Sequence, residues 1–200
     1  MRSLLSQFGT EHKLVAGSEL HFLRGDESRA CYLLSGCLTL SHGNRIMDVC
    51  WPGDLFDSHS GNSGVARAAT ESVVVTVPER PLLSRMAESQ ELTAWVWRQQ
   101  RQRIARLQQR VRFLSRHSVE RRILQTVIEL DQQAAVSPDR LIPLSQREVA
   151  DLAGVTREAT STILNRLHKA GLVRLGRRKL TVAAPDQLRD LVNSLFTAAA

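Results

Sequence analysis

Residues 145–182, SQREVADLAGVTREATSTILNRLHKAGLVRLGRRKLTV, leave little freedom in how they can fold. Ser145 and Glu148 have the spacing of a capping box, so a helix is predicted from Gln146 to Leu152 or Ala153. Gly154 then turns the chain, and Thr156 stands where a second helix needs an N-cap. After Gly171, LVRLGRRKLTV reads as a strand, a Gly-Arg-Arg-Lys tip and a returning strand. Helix, glycine turn, capped helix and basic hairpin, in that order, spell a winged helix-turn-helix.

The second helix has an unusual start. Its first turns hold Thr156, Arg157, Glu158, Thr160, Ser161 and Thr162, and only then does an apolar stripe begin. A helix that enters a DNA major groove by its N-terminus needs such short polar groups, which let it approach and then bond to base edges or phosphates. Arg157 is the expected reader of guanine O6 and N7, and Glu158 the expected acceptor from cytosine N4. Thr162, one turn on, suits a thymine methyl or a base edge. Thr156, Thr160 and Ser161 are assigned to phosphates, helped by the helix dipole. Arg177, Arg178 and Lys179 at the wing tip would hold neighbouring phosphates. Ile163, Leu164 and Leu167 are expected to face inward onto Val149, Leu152 and Leu172. Taken alone, the Arg-Glu pair reads equally as a capping acid beside an exposed arginine; the complete helix-turn-helix-wing order favours recognition.

Upstream, residues 90–116 contain neither Gly nor Pro and read as one long helix. Trp97, Ile104, Leu107, Val111 and Leu114 fall at heptad a and d positions, with Gln100 at the remaining seam position. Nine arginines occupy 98–122. So narrow an apolar seam, flanked by charge, implies a parallel homodimer zipped along it; the alternative is a helix lying on its own N-terminal domain. A break at His117-Ser118 precedes a further amphipathic helix, with Val119, Ile123, Val127 and Leu130 on one face.

The N-terminal part is different in kind. Short runs of Val, Leu, Cys and Thr are cut by glycines at 17, 25, 36, 43, 53, 61 and 64. ACYLLSGCLTLSHGNRIMDVCW reads strand, turn, strand, Gly-Asn hairpin, strand, and SVVVTV (72–77) is a further strand stopped by Pro78. ERPLLSRMAES then begins helically. The fold class is therefore α+β, in three parts: a β-roll over 1–89, a dimerisation helix over 90–116 and a DNA-binding domain over 117–200. Residues 1–97 carry 8 Lys/Arg against 11 Asp/Glu, a net −3, whereas residues 98–200 carry 19 against 9, a net +10. The basic half is the one expected to meet a polyanion.

Cys31, Cys37 and Cys50 are odd in number and unclustered, so neither a disulfide framework nor a thiolate metal site is expected. His12, His21, His42, His117 and His168 lack metal-ligand spacing, and SGNSG lacks the lysine of a phosphate-binding loop. No catalytic constellation is present, and an enzyme is not expected. With no secretory leader and no apolar run near ~18 residues, the expected location is the cytoplasm, without membrane association.

FLRGDESRACYLLSGCLTLS, WPGDLF, RRILQTVI and SQREVADLAGVTREATSTILNRL together resemble the CRP/FNR family of bacterial transcription regulators over nearly the whole chain. The resemblance implies a cyclic-nucleotide-binding-type β-roll, a dimer helix, and a winged helix-turn-helix that reads a palindromic site on double-stranded DNA and contacts RNA polymerase, most often as an activator. Two departures bear on the effector. GDLFDSHSGNSGVARAATES lacks the Gly-Glu and Arg-Ser that hold cyclic AMP in family members, with Arg67 at a later strand position, and the adenine-touching Thr-Ser is replaced by Leu107-Gln108. A buried cyclic phosphate without its charge partner is costly, so cyclic-nucleotide binding is not expected. GDLFDSHSG is also similar to the heme-binding, carbon-monoxide-sensing branch, which places His59 as a candidate axial ligand, although Asp57 replaces that branch's cysteine and its N-terminal proline is missing. His59, Asp57, Arg67 and Gln108 thus form the candidate effector pocket. Two alternatives stay open: a regulator gated by heme or another small molecule, and a β-roll regulatory subunit that docks on a protein partner.

Overall fold

The computed structural model describes residues 5, 7–21, 29–57, 64–116, 118–137 and 139–197. They form two compact units, Met1–Gln109 and Arg110–Ala200.

Among the described residues, the first unit has eight strands. They are β1 (Thr10–Leu14), β2 (Glu19–His21), β3 (Arg29–Ser35), β4 (Leu38–His42), β5 (Arg45–Cys50), β6 (Leu55–Asp57), β7 (Gly64–Ala68) and β8 (Ser72–Pro78). Two antiparallel sheets result, ordered β1-β8-β3-β6 and β2-β7-β4-β5. Alternation sends Cys31 and Leu33 of β3, Leu38 and Leu40 of β4, Ala66 and Ala68 of β7, and Val74 of β8 into one core with Cys50 and Phe56. Two turns need glycine. Gly36 joins β3 to β4 at φ +89°, and a Cβ there would stand 2.3 Å from the Glu71 carbonyl oxygen. Gly43, at φ +57°, begins the Gly-Asn hairpin between β4 and β5.

The run SVVVTV is apolar on both faces because both are covered. Val74 points between the sheets, while Val75 and Val77 pack with Leu5, Leu82 and Leu92 on the outer side. Leu82 belongs to α1 (Glu79–Glu88) and Leu92 to α2 (Gln90–Arg116). Tyr32 meets Trp95 of α2 edge-on, with ring centroids 5.4 Å apart. The long helix is thus fastened to the roll by its first turns. The compact units divide within α2, after Gln109, rather than at its ends.

The second unit holds α3 (Val119–Ala134), α4 (Gln146–Ala153), α5 (Arg157–Lys169), a hairpin of β9 (Val173–Gly176) and β10 (Lys179–Val182), and α6 (Pro185–Thr197). Ser118 caps α3 by accepting from the Arg121 amide. Ile123, Leu124, Val127 and Leu130 are buried, but Val119, expected on that inner face, is exposed. Ile142 exchanges backbone hydrogen bonds with Leu180 in an isolated bridge at the edge of the hairpin. Helix α6, which the reading of the sequence did not reach, buries Leu188 and Val192 and packs on α3. Among the described residues no helix is long and apolar enough to cross a membrane.

Candidate nucleic-acid interface

Both helices of the helix-turn-helix start as their sequences require. At α4 the Ser145 hydroxyl accepts from the Glu148 amide, and the Glu148 carboxylate accepts from the Ser145 amide at 2.6 Å, completing the capping box. Gly154 ends α4 in the left-handed region, at φ +61°. Thr156 then caps α5 by accepting from the Ala159 amide at 3.2 Å.

Helix α5 separates its faces sharply. Thr160, Leu164 and Leu167, spaced i, i+4, i+7, are buried, with Ile163 half-buried beside them. Arg157, Glu158 and Thr162 are exposed and Ser161 is half-exposed. The outer groups are kept close to the helix. The Thr162 hydroxyl donates to the Glu158 carbonyl at 3.0 Å, and the Asn165 amide donates to the Ser161 hydroxyl at 3.3 Å. Arg157 therefore has the longest reach of this surface, next to the positive end of the helix dipole.

One of the expected phosphate contacts is misplaced. Thr160 is fully buried, and its hydroxyl donates to the Thr156 carbonyl at 3.1 Å. The i, i+4, i+7 spacing with Leu164 and Leu167 puts it on the inner face, so it supports the helix and cannot touch DNA. That same spacing was available in the sequence.

In the wing, Arg177 and Lys179 are exposed at the turn between β9 and β10. Arg178 is engaged elsewhere: its Nη2 donates to Glu148 Oε1 of α4 at 2.8 Å. Because that contact sets the wing tip beside the start of α4, it also brings in Arg147, an exposed first-turn residue that motif reading overlooked. Further along, Arg166 of α5 pairs with Glu120 of α3.

The seam of α2 is open. Trp97, Val111 and Ile104 are 67%, 64% and 52% exposed, and Leu107 and Leu114 are exposed as well. These five large apolar side chains repeat along one face of a helix as an exposed stripe, although Leu114 also lies against Gly154.

Residues 102–191 match the model of the Crp-like helix-turn-helix domain. Over 181 residues the chain is 28% identical to the nitrogen fixation regulation protein FixK of Rhizobium meliloti, covering 86% of this chain and 82% of that protein. The regulatory protein HlyX of Actinobacillus pleuropneumoniae is 25% identical over 190 residues, 88% of this chain and 79% of its own length. The structure of FixK2 from Bradyrhizobium japonicum superposes with a TM-score of 0.74 at 21% identity, over 92% of this chain and 96% of that one.

The Crp-like helix-turn-helix domain, together with the likeness to FixK and HlyX along most of the chain, supports a CRP/FNR-type transcription regulator. The chain is a DNA-binding regulator, and its family is not a class of enzymes.

Among the described residues, the roll does not gather the side chains named for an effector pocket. Ala66 and Ala68 take the inward positions of β7, so Arg67 lies on the outer face, where its Nε donates to the Gly17 carbonyl at 3.2 Å. Asp57 is exposed at the end of β6 in the other sheet, and Gln108 is exposed on α2. His59 lies outside the described residues. All three cysteines are buried, and burial pushes the Cys31 thiol up to about 12, with Asp57 adding to the effect. Among the described residues no three His, Cys, Asp or Glu side chains cluster as a metal site.

Beyond the apolar packing of its first turns, α2 is joined to the roll by charge. Asp54, in the Gly-Asp turn, accepts from the Trp51 amide at 2.9 Å and from Arg106 Nη2 at 2.7 Å. Asp48 on β5 pairs with Arg103 at 3.4 Å, one helical turn away.

Proposed function

We propose that this regulator acts as a homodimer on a palindromic duplex site, with each α5 entering a major groove by its N-terminus. The observation that carries the reading is the division of α5 into a buried Thr160-Leu164-Leu167 face and an exposed polar face of Arg157, Glu158 and Thr162. Arg157 donates two bonds to guanine, Glu158 accepts from cytosine and Thr162 meets a base edge or thymine methyl. Thr156 and Ser161 serve phosphates beside the helix, and Arg177 and Lys179 serve those under the wing. The exposed Trp97-Ile104-Leu107-Val111-Leu114 stripe supplies the seam for the second copy. Residues 1–89 act as a sensor-like roll, 90–116 as the joining helix and 117–200 as the DNA-binding part.

Cyclic AMP is not required in this reading. The described core between the sheets is made of aliphatic, cysteine and phenylalanine side chains, and Arg67 lies on the outer face with its Nε on the Gly17 carbonyl. Regulation is exerted on RNA polymerase, and the protein works in the cytoplasm.

Selection of bound DNA from random duplexes, without added nucleotide, tests the whole reading by returning a two-fold symmetric site. Arg157→Ala should then cost about 1–3 kcal/mol at that site while leaving binding to bulk DNA almost unchanged. Equal losses on selected and random duplexes would contradict base reading by Arg157.

A further inference from the structure

We infer that Arg178 is a positioning residue, which acts on DNA through Glu148 by holding the wing tip against the start of α4. Charge and motif place it with Arg177 and Lys179 as a phosphate contact, but its guanidinium, on a side chain 42% exposed, is bonded to a carboxylate of α4. Arg178 Nη2 donates to Glu148 Oε1 at 2.8 Å, and Glu148 Oε2 accepts the Ser145 amide at 2.6 Å. One carboxylate thus serves two segments: it closes the N-terminus of α4 and tethers a hairpin thirty residues away. Only the carboxylate end of the tether is sheltered, the Glu148 side chain being 12% exposed against 42% for Arg178, and such charge-assisted bonds are stronger than neutral ones.

The backbone of the turn agrees. Arg178 sits at φ +52°, in the left-handed region that glycine occupies with least strain, while Gly176 two residues earlier does not. A glycine at 178 would relax the turn but could not reach Glu148. With the tip held, Arg177 and Lys179 flank the tether and stay exposed, and Arg147 lies beside Glu148 on the α4 side. These three cations are then presented together, at a fixed offset from α5, to one stretch of sugar–phosphate backbone.

The inference rests on the DNA-reading assignment above, and a double-mutant cycle in the full-length protein separates the two. Binding to the selected duplex is followed by fluorescence anisotropy for wild type, Glu148→Gln, Arg178→Gln and the double variant. Glutamine can still accept the Ser145 amide, so Glu148→Gln preserves the capping box and removes only the charge. Simple electrostatics forecasts tighter binding when an acid near a polyanion is neutralised. A positioning role forecasts the opposite, a loss of about three- to ten-fold for either single variant, with the double variant no weaker than the weaker single. Amide exchange at 177–179 should accelerate in Glu148→Gln while α4 keeps its protection, and Arg178→Lys should recover part of the binding. Unchanged or tighter binding by Glu148→Gln, losses that multiply in the double variant, or accelerated exchange in α4 would each overturn the inference. If wild type itself prefers no duplex, the DNA-reading assignment fails; if it binds its site and Glu148→Gln costs nothing, only the role of Arg178 fails.

Discussion

Replacing Ile104 by aspartate tests the dimer seam most directly. Ile104 sits at an a position of α2 with 52% of its surface exposed in the single chain. Fully burying an isoleucine side chain is worth about 1.5–3 kcal/mol, so covering the open half is worth about 1 kcal/mol per copy and about 2 kcal/mol per dimer. Aspartate forfeits that and sets two like charges opposite each other in a seam closed to water, which adds at least about 2 kcal/mol. The sum, about 4 kcal/mol, corresponds to a roughly thousand-fold weaker dimer. Sedimentation equilibrium over a range of protein concentrations reads this directly, with Gln102→Asp, an exposed f position on the same helix, as the control for added charge. Ile104→Asp should be monomeric where wild type and Gln102→Asp are dimeric, and its DNA binding should fall with it. If both variants dimerise within about three-fold of wild type, the chains do not join along this stripe.

Thr160→Val should cost about 1 kcal/mol or less in thermal unfolding, through loss of the bond to the Thr156 carbonyl. It should leave the salt dependence of DNA binding unchanged; a shallower slope would restore Thr160 to the phosphate contacts. Burial holds the carboxyl of Glu129 on α3 above its ordinary 4.5, against the opposing pull of Gln125 and Arg110. The folded state therefore binds the proton more tightly, so stability falls as pH rises from 4.5 through the raised value and Glu129 opposes folding at neutrality. Glu129→Gln should raise the neutral-pH melting temperature and remove that slope, and denaturation at several pH values will report it. None of the three buried cysteines should react quickly with a chromogenic disulfide reagent in the native state, and all three should react in guanidinium.

Much of this architecture is written locally in the chain, where short-range physics acts alone. Capping residues Ser118, Ser145 and Thr156 mark three helix starts, because an orphan amide needs an acceptor within three residues. The Gly-Asn hairpin and the a/d stripe of α2 are legible for the same reason. Side-chain types proved a weaker guide than face. Thr160 looks like its polar neighbours in sequence, but α5 turns it inward. Arg178 looks like Arg177, yet a glutamate thirty residues earlier claims it, and no periodicity carries that pairing. The boundary inside α2 was hidden too. It depends on Asp48 and Asp54 reaching Arg103 and Arg106, and these pairings exist only once the roll has formed.

The carboxylate of Asp54 has a practical meaning for anyone who would exchange sensors among such proteins. It knots a tight bend of the roll, at Trp51, to the middle of the long helix, at Arg106. A chimera cut where β-structure gives way to helix, near residue 89, would sever that knot and leave two aspartates without their cations. The transplantable unit runs on through Gln109, so a foreign roll must bring its own stretch of helix along.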